Sequence, residues 1–441
     1  MNSNLACIIL AAGHSTRMKS KTSKVLHPIA GRPLIGWLLE TVKSLNPEKT
    51  IIVTSPDGDA VRDYVAPLQS VIQQRAQGTA DAVKAAMPAL AGFKGTILVL
   101  FADGPLYRAE TLQNLLAAYD KPKSGLAFLA MRPDDPFGYG RIITKDDGTL
   151  SAIVEEKDAN DAQKKINLCW TGIMCGDAES FAYGLPRIDN KNVKGEYYLT
   201  DLPGVVSGAT ILVEAPFAET LGANNRAELA VLERKIQDRL RARALENGAT
   251  LIDPSSTYFS YDTQLGRDVT IEPNVFFGPG VTIADDVTIK AFSHIEGAKI
   301  ESGAHIGPFA RLRPGTIIGP DCKLGNFVET KNATLAAGVK ASHLAYIGDA
   351  DVGANVNFSC GAITVNYDGV NKNKTIIGRD AMIGSNVNLV APITIGDGAY
   401  VAAGSTITKD VPADALAVAR EKPSVIEGWA AKKRKSQKKK D

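Results

Sequence analysis

Five cysteines in 441 residues is a low count, and Cys7, Cys169, Cys175, Cys322 and Cys360 are scattered, odd in number and without metal-ligand spacing. That pattern excludes a disulfide scaffold and a zinc cluster, and it fits reduced thiols in a cytosol. Long hydrophobic runs are missing too, so no membrane insertion is expected. The opening "MNSNLACIILAAG" has a short apolar run with no basic residue before it and does not read as a signal peptide, which makes a cytoplasmic location the expectation. Charge of one sign is not in excess. A net charge of +2 argues against a chain built to bind nucleic acid as a whole. The basic run "KKRKSQKKK", Lys432 to Lys440, is the exception and reads as a solvated end. Two phosphate-binding signatures are also absent from the loop after the first apolar run, namely G-x-x-x-x-G-K-[ST] and G-x-G-x-x-G.

What is present falls into distinct styles. The length asks for two or three domains. Up to about residue 220, short β-like runs ("ACIIL", "TIIVTS", "SVIQQ", "TILVLFAD") alternate with helix-like ones ("PLIGWLLETVKSL", "GDAVRDYV", "TADAVKAAMPAL"). Such alternation predicts an α/β domain around a largely parallel sheet, with ligands beyond the carboxyl ends of its strands. A charged helix follows, with Leu229, Leu232, Ile236, Leu240 and Leu245 at helical spacing and Gly248 placed to end it. After Leu251 the period becomes six. Ile271, Phe277, Ile283, Ile289 and Ile295 form one ladder beside Val269, Val275, Val281 and Val287, and it resumes at Ile383, Leu389, Ile395, Val401 and Ile407. A sustained hexad means a parallel β-helix of stacked coils. Two stretches, 341–350 and 362–375, break the rhythm and are expected to be loops on one face. The expected domains are therefore 1–222, a linker helix 223–250, a β-helix 251–419 and a C-terminal segment 420–441.

The loop "LAAGHSTRMKSKTSK", Leu10 to Lys24, leaves the first strand rich in small, hydroxyl and basic residues, as a loop that meets an anion would be. Taken alone, Arg17 and Lys24 could equally be surface charges. Asp103, at the end of "TILVLFAD", could merely cap a helix. Of the histidines His14, His27, His294, His305 and His343, the last stands out because "HLAYIGD" interrupts the hexads.

In their order and wording, "LAAG", "FAD", "YGR", "IVEEK", "TGI", "GANNR", "RLRPG", "VETK", "HLAYIGD" and the hexads resemble one bacterial family. It is the family of bifunctional N-acetylglucosamine-1-phosphate uridylyltransferases and glucosamine-1-phosphate N-acetyltransferases, and the likeness spans almost the whole chain. The resemblance implies a Rossmann-like nucleotidyltransferase domain, a left-handed β-helix and a homotrimer with acetyltransferase sites at subunit contacts. Leu10, Ala11, Ala12 and Gly13 match the uridine-binding turn, with Gln73, Gly78 and Thr79 on the uracil side. Arg17 and Lys24 match the cations of the phosphate site, where charge builds on the departing pyrophosphate. Asp103 and Asn224 match ligands of Mg²⁺, a hard ion that takes oxygen donors. Gly140, Glu155 and the position of Trp170 match the sugar side.

For acetyl transfer, His343 matches the general base that takes a proton from the amine of glucosamine-1-phosphate, a task suited to an imidazole. Arg313, Lys331, Tyr346 and Asn357 match the sugar-phosphate ligands. Cys360, Asn366, Tyr367, Ser385, Ala403 and Arg420 match the acetyl-CoA side. The sequence also departs from the family: Trp170 stands for an Asn, Ser15 and Ala102 each for a Gly, Asp81 for a His, and Ser359 and Cys360 for Gly and Ala. An indole cannot replace the paired donor and acceptor of an amide. The implied substrates are UTP, acetyl-CoA, glucosamine-1-phosphate and N-acetylglucosamine-1-phosphate. Alternatives are an acetyltransferase whose first site is silent or takes another sugar, and a non-catalytic interaction subunit of the same architecture.

Overall fold

The computed structural model describes residues 4–13, 16–119, 124–146 and 148–437; His14, Ser15 and the end of the basic tail lie outside them. The chain forms two compact units that divide between Asp238 and Arg239.

In the first unit the apolar runs pair into a sheet in the order 209–214, 124–131, 169–177, 96–101, 5–10, 49–54, 69–72. Leu5–Leu10 is parallel to Lys49–Thr54 on one side and to Thr96–Phe101 on the other. Cys169–Asp177 runs antiparallel to both of its neighbours, so the sheet is mixed at that point. All six residues of Leu5–Leu10 are buried, as a strand covered on both faces requires. The chain first winds outward from strand 5–10 through 49–54 to 69–72, then returns on its other side at 96–101. That reversal opens a crevice at the carboxyl ends of strands 5–10 and 96–101. Its floor is stitched by the backbone bonds Ala11 N to Val53 O (2.8 Å) and Ala102 N to Leu10 O (3.0 Å).

The expected linker is one α-helix, Arg226–Glu246. Asn225 starts it: its side chain accepts from the Glu228 amide at 2.9 Å, satisfying an orphan N–H of the first turn. Gly248, at φ 94, ends it, donating its N–H to Leu245 O. Leu232 and Ile236 are buried, while Leu245 is exposed.

The second unit is a parallel β-helix whose short strands, from Thr250–Leu251 to Leu416–Ala417, pair mainly with the third strand onward. Ile271 pairs with Ile289, Ile289 with Ile306 and Ile306 with Leu324, while Phe277 pairs with Ile295 and Ile283 with Ile300, so successive members of the hexad ladder enter three parallel stacks of one buried core. Each such side chain removed from water contributes about 1.5–3 kcal/mol before entropy is counted. Asp and Asn occupy many of the corner positions with positive φ, among them Asp268, Asn274, Asp286, Asp321 and Asn355. Residues 341–350 are not a loop. They lie inside the strand Lys340–Val352, which keeps register with Lys323–Leu335, and Leu344 and Asp349 absorb the break at φ 53 and 46. The second interruption is a loop in part: after Ile363–Val365 the chain leaves the coil and returns at Thr375–Ile377, so that Phe358 pairs with Ile383.

Candidate active sites

The crevice of the first unit holds a cavity of about 220 Å³, lined among others by Ala12, Gly13, Lys24, Gln73, Thr79 and Asp103. Leu10, Ala11 and Gly78 line it as well. A Cβ on Gly13 would meet no atom within 4 Å, so this glycine opens space toward the cavity without serving packing. Gly78 is different: at φ 114 its missing Cβ lets the backbone of Tyr197 approach, and Tyr197 N donates to Gln77 O at 2.8 Å. The Thr79 hydroxyl accepts from Leu199 N at 2.9 Å, which fixes the same turn.

The Lys24 ammonium donates to Asp103 Oδ2 at 2.5 Å and to Asn224 Oδ1 at 3.1 Å. Two oxygens from distant parts of the chain therefore converge on one cation. The Asn224 amide is aimed by Glu228, whose Oε2 accepts from Asn224 N at 2.7 Å and Nδ2 at 3.2 Å. A carboxylate only accepts, so Nδ2 must face Glu228 and Oδ1 is left for the cation. This donor set fits a divalent ion: one carboxylate and one neutral oxygen leave most coordination places for phosphate and water oxygens. Arg17 lies on the short turn Thr16–Met18, exposed, and is not among the cavity-lining residues.

Of the residues expected on the sugar side, Gly140 sits against Glu155: a Cβ there would meet its carboxyl at 3.7 Å. Burial raises the Glu155 pKa above the ordinary carboxylate value, and the Lys194 charge partly offsets this. Trp170 N donates to Gly140 O at 2.9 Å, so the backbone of residue 170 is brought to this group. Its indole is not. The ring is 7% exposed, packs edge-on to Phe101 and Phe128, and donates its N–H to Ile173 O at 3.0 Å. The indole thus lies in the core and is not among the cavity-lining residues, neither stacking in the cavity nor blocking it.

In the β-helix, residues scattered in sequence form a single file. Gly361 N donates to Leu344 O, Asn386 N to Cys360 O, Gly404 N to Ser385 O, and Arg420 Nη1 to Ala403 O, all at 2.7–2.8 Å. The neighbourhood of His343 is thereby followed, coil by coil, by Cys360, Ser385, Ala403 and Arg420. His343 is exposed; Cys360 is half-buried with a free thiol. Lys331 pairs with Gly348, and Arg313, one coil earlier, donates its N–H to Thr330 O and pairs with Glu329 at 2.8 Å. Tyr346 pairs with Glu329 in the register. Asn357 donates to Ser359 Oγ at 3.0 Å, and the exposed Tyr367 donates to Gly369 O at 2.6 Å.

Three groups whose contacts the sequence left unmarked matter here, Lys372 and Asp349 in this region and Glu228 in the crevice. Lys372, in the loop that leaves the coil, stands beside Lys331, and by hydrogen bond and charge holds that ammonium below its usual pKa. Asp349 accepts from Asn332 at 2.6 Å and from the buried Asn366. Burial opposes ionisation of Asp349, but these bonds and the charges of Lys331 and Lys372 outweigh it and lower its pKa. Glu228 was legible only as a helix-start signal, an acid three residues after Asn225.

The sequence matches the family of MobA-like NTP transferase domains over residues 7–164 and the bacterial transferase hexapeptide (six repeats) over 262–297, 297–332 and 374–409. It is 51% identical to the bifunctional protein GlmU of Paramagnetospirillum magneticum over 99% of this chain and 98% of that one. It is 48% identical to that of Zymomonas mobilis, again over 99% and 98%, and 40% identical to that of Geotalea uraniireducens over 98% and 100%. The chain belongs to the GlmU family. The second unit is accordingly the left-handed β-helix of hexapeptide repeats. GlmU-type proteins carry two activities, and this one is both a UDP-N-acetylglucosamine diphosphorylase and a glucosamine-1-phosphate N-acetyltransferase. The reactions use a divalent metal, a nucleotide and an acyl-CoA. Readings of the chain as a one-site enzyme or a non-catalytic subunit are not favoured. Among the described residues, no helix is long and apolar enough to cross a membrane.

Proposed function

We propose that uridylyl transfer takes place in the crevice of the first unit and acetyl transfer along the file that begins at His343. The convergence of Asp103 Oδ2 and Asn224 Oδ1 on one cation carries the first assignment. Asp103 and Asn224 would hold Mg²⁺, which supplies charge neutralisation at the UTP α-phosphate. Leu10, Ala11, Ala12 and Gly13 seat the nucleoside against backbone, and Gln73, Gly78 and Thr79 face its base. Gly140, Glu155 and the backbone at Trp170 border the sugar. Lys24, which would leave the Asp103 carboxylate to a bound divalent ion, and Arg17, which is exposed, would place positive charge where pyrophosphate departs. The attacking sugar-phosphate oxygen is already ionised, so no protein base is required.

In the β-helix, His343 takes the amine proton as the nitrogen attacks the thioester. Arg313 and Lys331, joined by Lys372, form the cationic seat for the sugar phosphate, with Tyr346 and Asn357 on its sugar. Cys360, Ser385, Ala403 and Arg420 lie on successive coils at about 4.8 Å each, an extended path suited to a long thioester arm, with Asn366 and Tyr367 beside it. The assembly is a homotrimer. Phe292, Phe309 and Phe327 stack at 5.0 and 5.2 Å, are about half exposed, and hold positive φ at a corner that continues into Leu344. Bulky residues in that conformation are strained, and an exposed apolar strip beside His343 supports burial against a second copy.

The test is pyrophosphate release from UTP, N-acetylglucosamine-1-phosphate and Mg²⁺. Asp103→Ala should lower it by at least about a thousandfold while CoA release from acetyl-CoA and glucosamine-1-phosphate is kept. Undiminished pyrophosphate release would remove Asp103 from the site.

A further inference from the structure

The cavity of the first unit offers its nucleobase side an atom whose identity is fixed by Asp81. Gln73 is buried, lines the cavity, and has a backbone pinned by its N–H to Thr54 O at 2.9 Å. Both protons of its side-chain amide are committed within the protein. Nε2 donates to Gly78 O at 3.0 Å and to Asp81 Oδ2 at 2.8 Å. A carbonyl and a carboxylate can only accept, so the amide is not free to turn: the reversed orientation would set oxygen against two oxygens. Oε1 is left over, and no described residue donates to it.

We infer that Asp81 is a positioning residue that selects the base, by holding Gln73 so that the cavity presents an acceptor and admits a pyrimidine carrying a ring N–H. Uracil has that N–H at its N3. Cytosine has a bare lone pair at the same place, which would face Oε1 and leave two acceptors opposed in a desolvated pocket. A site built around one donor–acceptor pairing rejects an analogue lacking it far more strongly than a merely apolar pocket can. Asp81 stands where the family resemblance places a histidine. An imidazole can donate or accept, whereas a carboxylate leaves the amide one orientation. The inference rests on the crevice being the nucleotide site.

The experiment compares UTP and CTP as co-substrates of the full chain, with N-acetylglucosamine-1-phosphate and Mg²⁺, and measures the binding of each nucleotide by calorimetry. The wild-type chain should prefer UTP by about a hundredfold or more in kcat/KM. Asp81→Lys replaces the acceptor by a donor, favours the reversed amide, and should cut that preference by roughly tenfold or more, with KM for UTP rising and KM for CTP falling. Asp81→Asn, which leaves Gly78 O as the one partner that can only accept, should fall between. The added charge of Lys acts on both triphosphates alike and cancels in the ratio. An unchanged UTP to CTP ratio in Asp81→Lys, or equal loss for both nucleotides, would overturn the inference. Should Asp81→Lys fail to fold, seen as a lost thermal unfolding transition of the first unit, Gln73→Met removes the acceptor without adding charge, and unchanged preference there overturns it equally. Absence of UTP binding to the wild-type chain would instead strike the crevice assignment itself.

Discussion

In the crevice almost every polar group named above is held by a neighbour, whereas along the β-helix corner His343 and Leu344 stand exposed. Lys24 is fixed by Asp103 and Asn224, Asn224 by Glu228, and Gln73 by Gly78 and Asp81. The partners of the two amide Nδ2 and Nε2 groups are acceptor-only, so that one orientation of each amide survives. The corner has the reverse character: a buried ladder of Ile and Val fixes the backbone with great regularity, while His343, the proposed base, projects from it exposed. The difference is one of where order comes from. A crevice at a sheet's switch point surrounds its ligand with loops from several strands, so a single chain can preorganise it. A solenoid corner is convex, so water must be excluded by something laid against it, and the exposed aromatic strip is where the proposed second copy would lie.

The largest separation of the two sites should come from His343→Ala. Loss of a general base is expected to slow CoA release by about 10²–10⁴-fold while pyrophosphate release from UTP stays at the wild-type rate. A fall in both activities would mean that His343 supports the fold and not the chemistry, and the contrast between a braced crevice and an unbraced base would collapse.

How much of this was legible in the sequence follows the same division. The hexad ladder could be read almost residue by residue, because a repeat of one buried side chain per six positions has no other physical meaning; Ile271, Phe277, Ile283, Ile289 and Ile295 are all buried where the period puts them. The alternating runs of the first unit gave its α/β class, and Leu10 and Asp103 could be placed at carboxyl strand ends. Side-chain direction could not be read. Trp170 was expected at the sugar, yet its backbone is there and its indole is in the core, because a bulge between Trp170 and Met174 lets the ring turn under Phe101. Residues 341–350 broke the period and looked like a loop; two positive-φ residues let a long strand absorb the break instead. Glu228, Asp349 and Lys372 were missed because their importance lies in what they touch across the chain, and no spacing rule encodes that.

A smaller effect should sharpen the crevice side. Glu228→Ala removes the acceptor that turns the Asn224 amide, and leaves Oδ1 and Nδ2 to exchange places. Loss of such an outer partner typically costs 10–100-fold in metal affinity, so the Mg²⁺ concentration for half-maximal uridylyl transfer should rise by about tenfold. Manganese binding followed by electron paramagnetic resonance should weaken in parallel, without any change in acetyl transfer. If metal affinity is untouched, Asn224 holds its orientation without Glu228, and the crevice is less braced than its hydrogen bonds indicate.

The smallest effect belongs to Asp349, a group that gives the proposed β-helix site some of the crevice's bracing. Its folded pKa lies below the ordinary 3.8, because bonds from Asn332 and Asn366 and the Lys331 and Lys372 charges outweigh its burial. A depressed carboxyl stabilises the folded state at pH values above its unfolded pKa, and that contribution drains away as pH falls through the folded value. The window therefore opens near 3.8 and extends downward. Asp349→Asn keeps the shape and loses the titration, so its unfolding midpoint should be lower than wild type at neutral pH and should converge with it below that window. The shift is expected to be about a few degrees, the size of effect that one partly buried carboxylate network supports. Parallel curves with no convergence in acid would mean that the two asparagines are held by shape alone, and that the Asp349 charge does not brace this part of the β-helix.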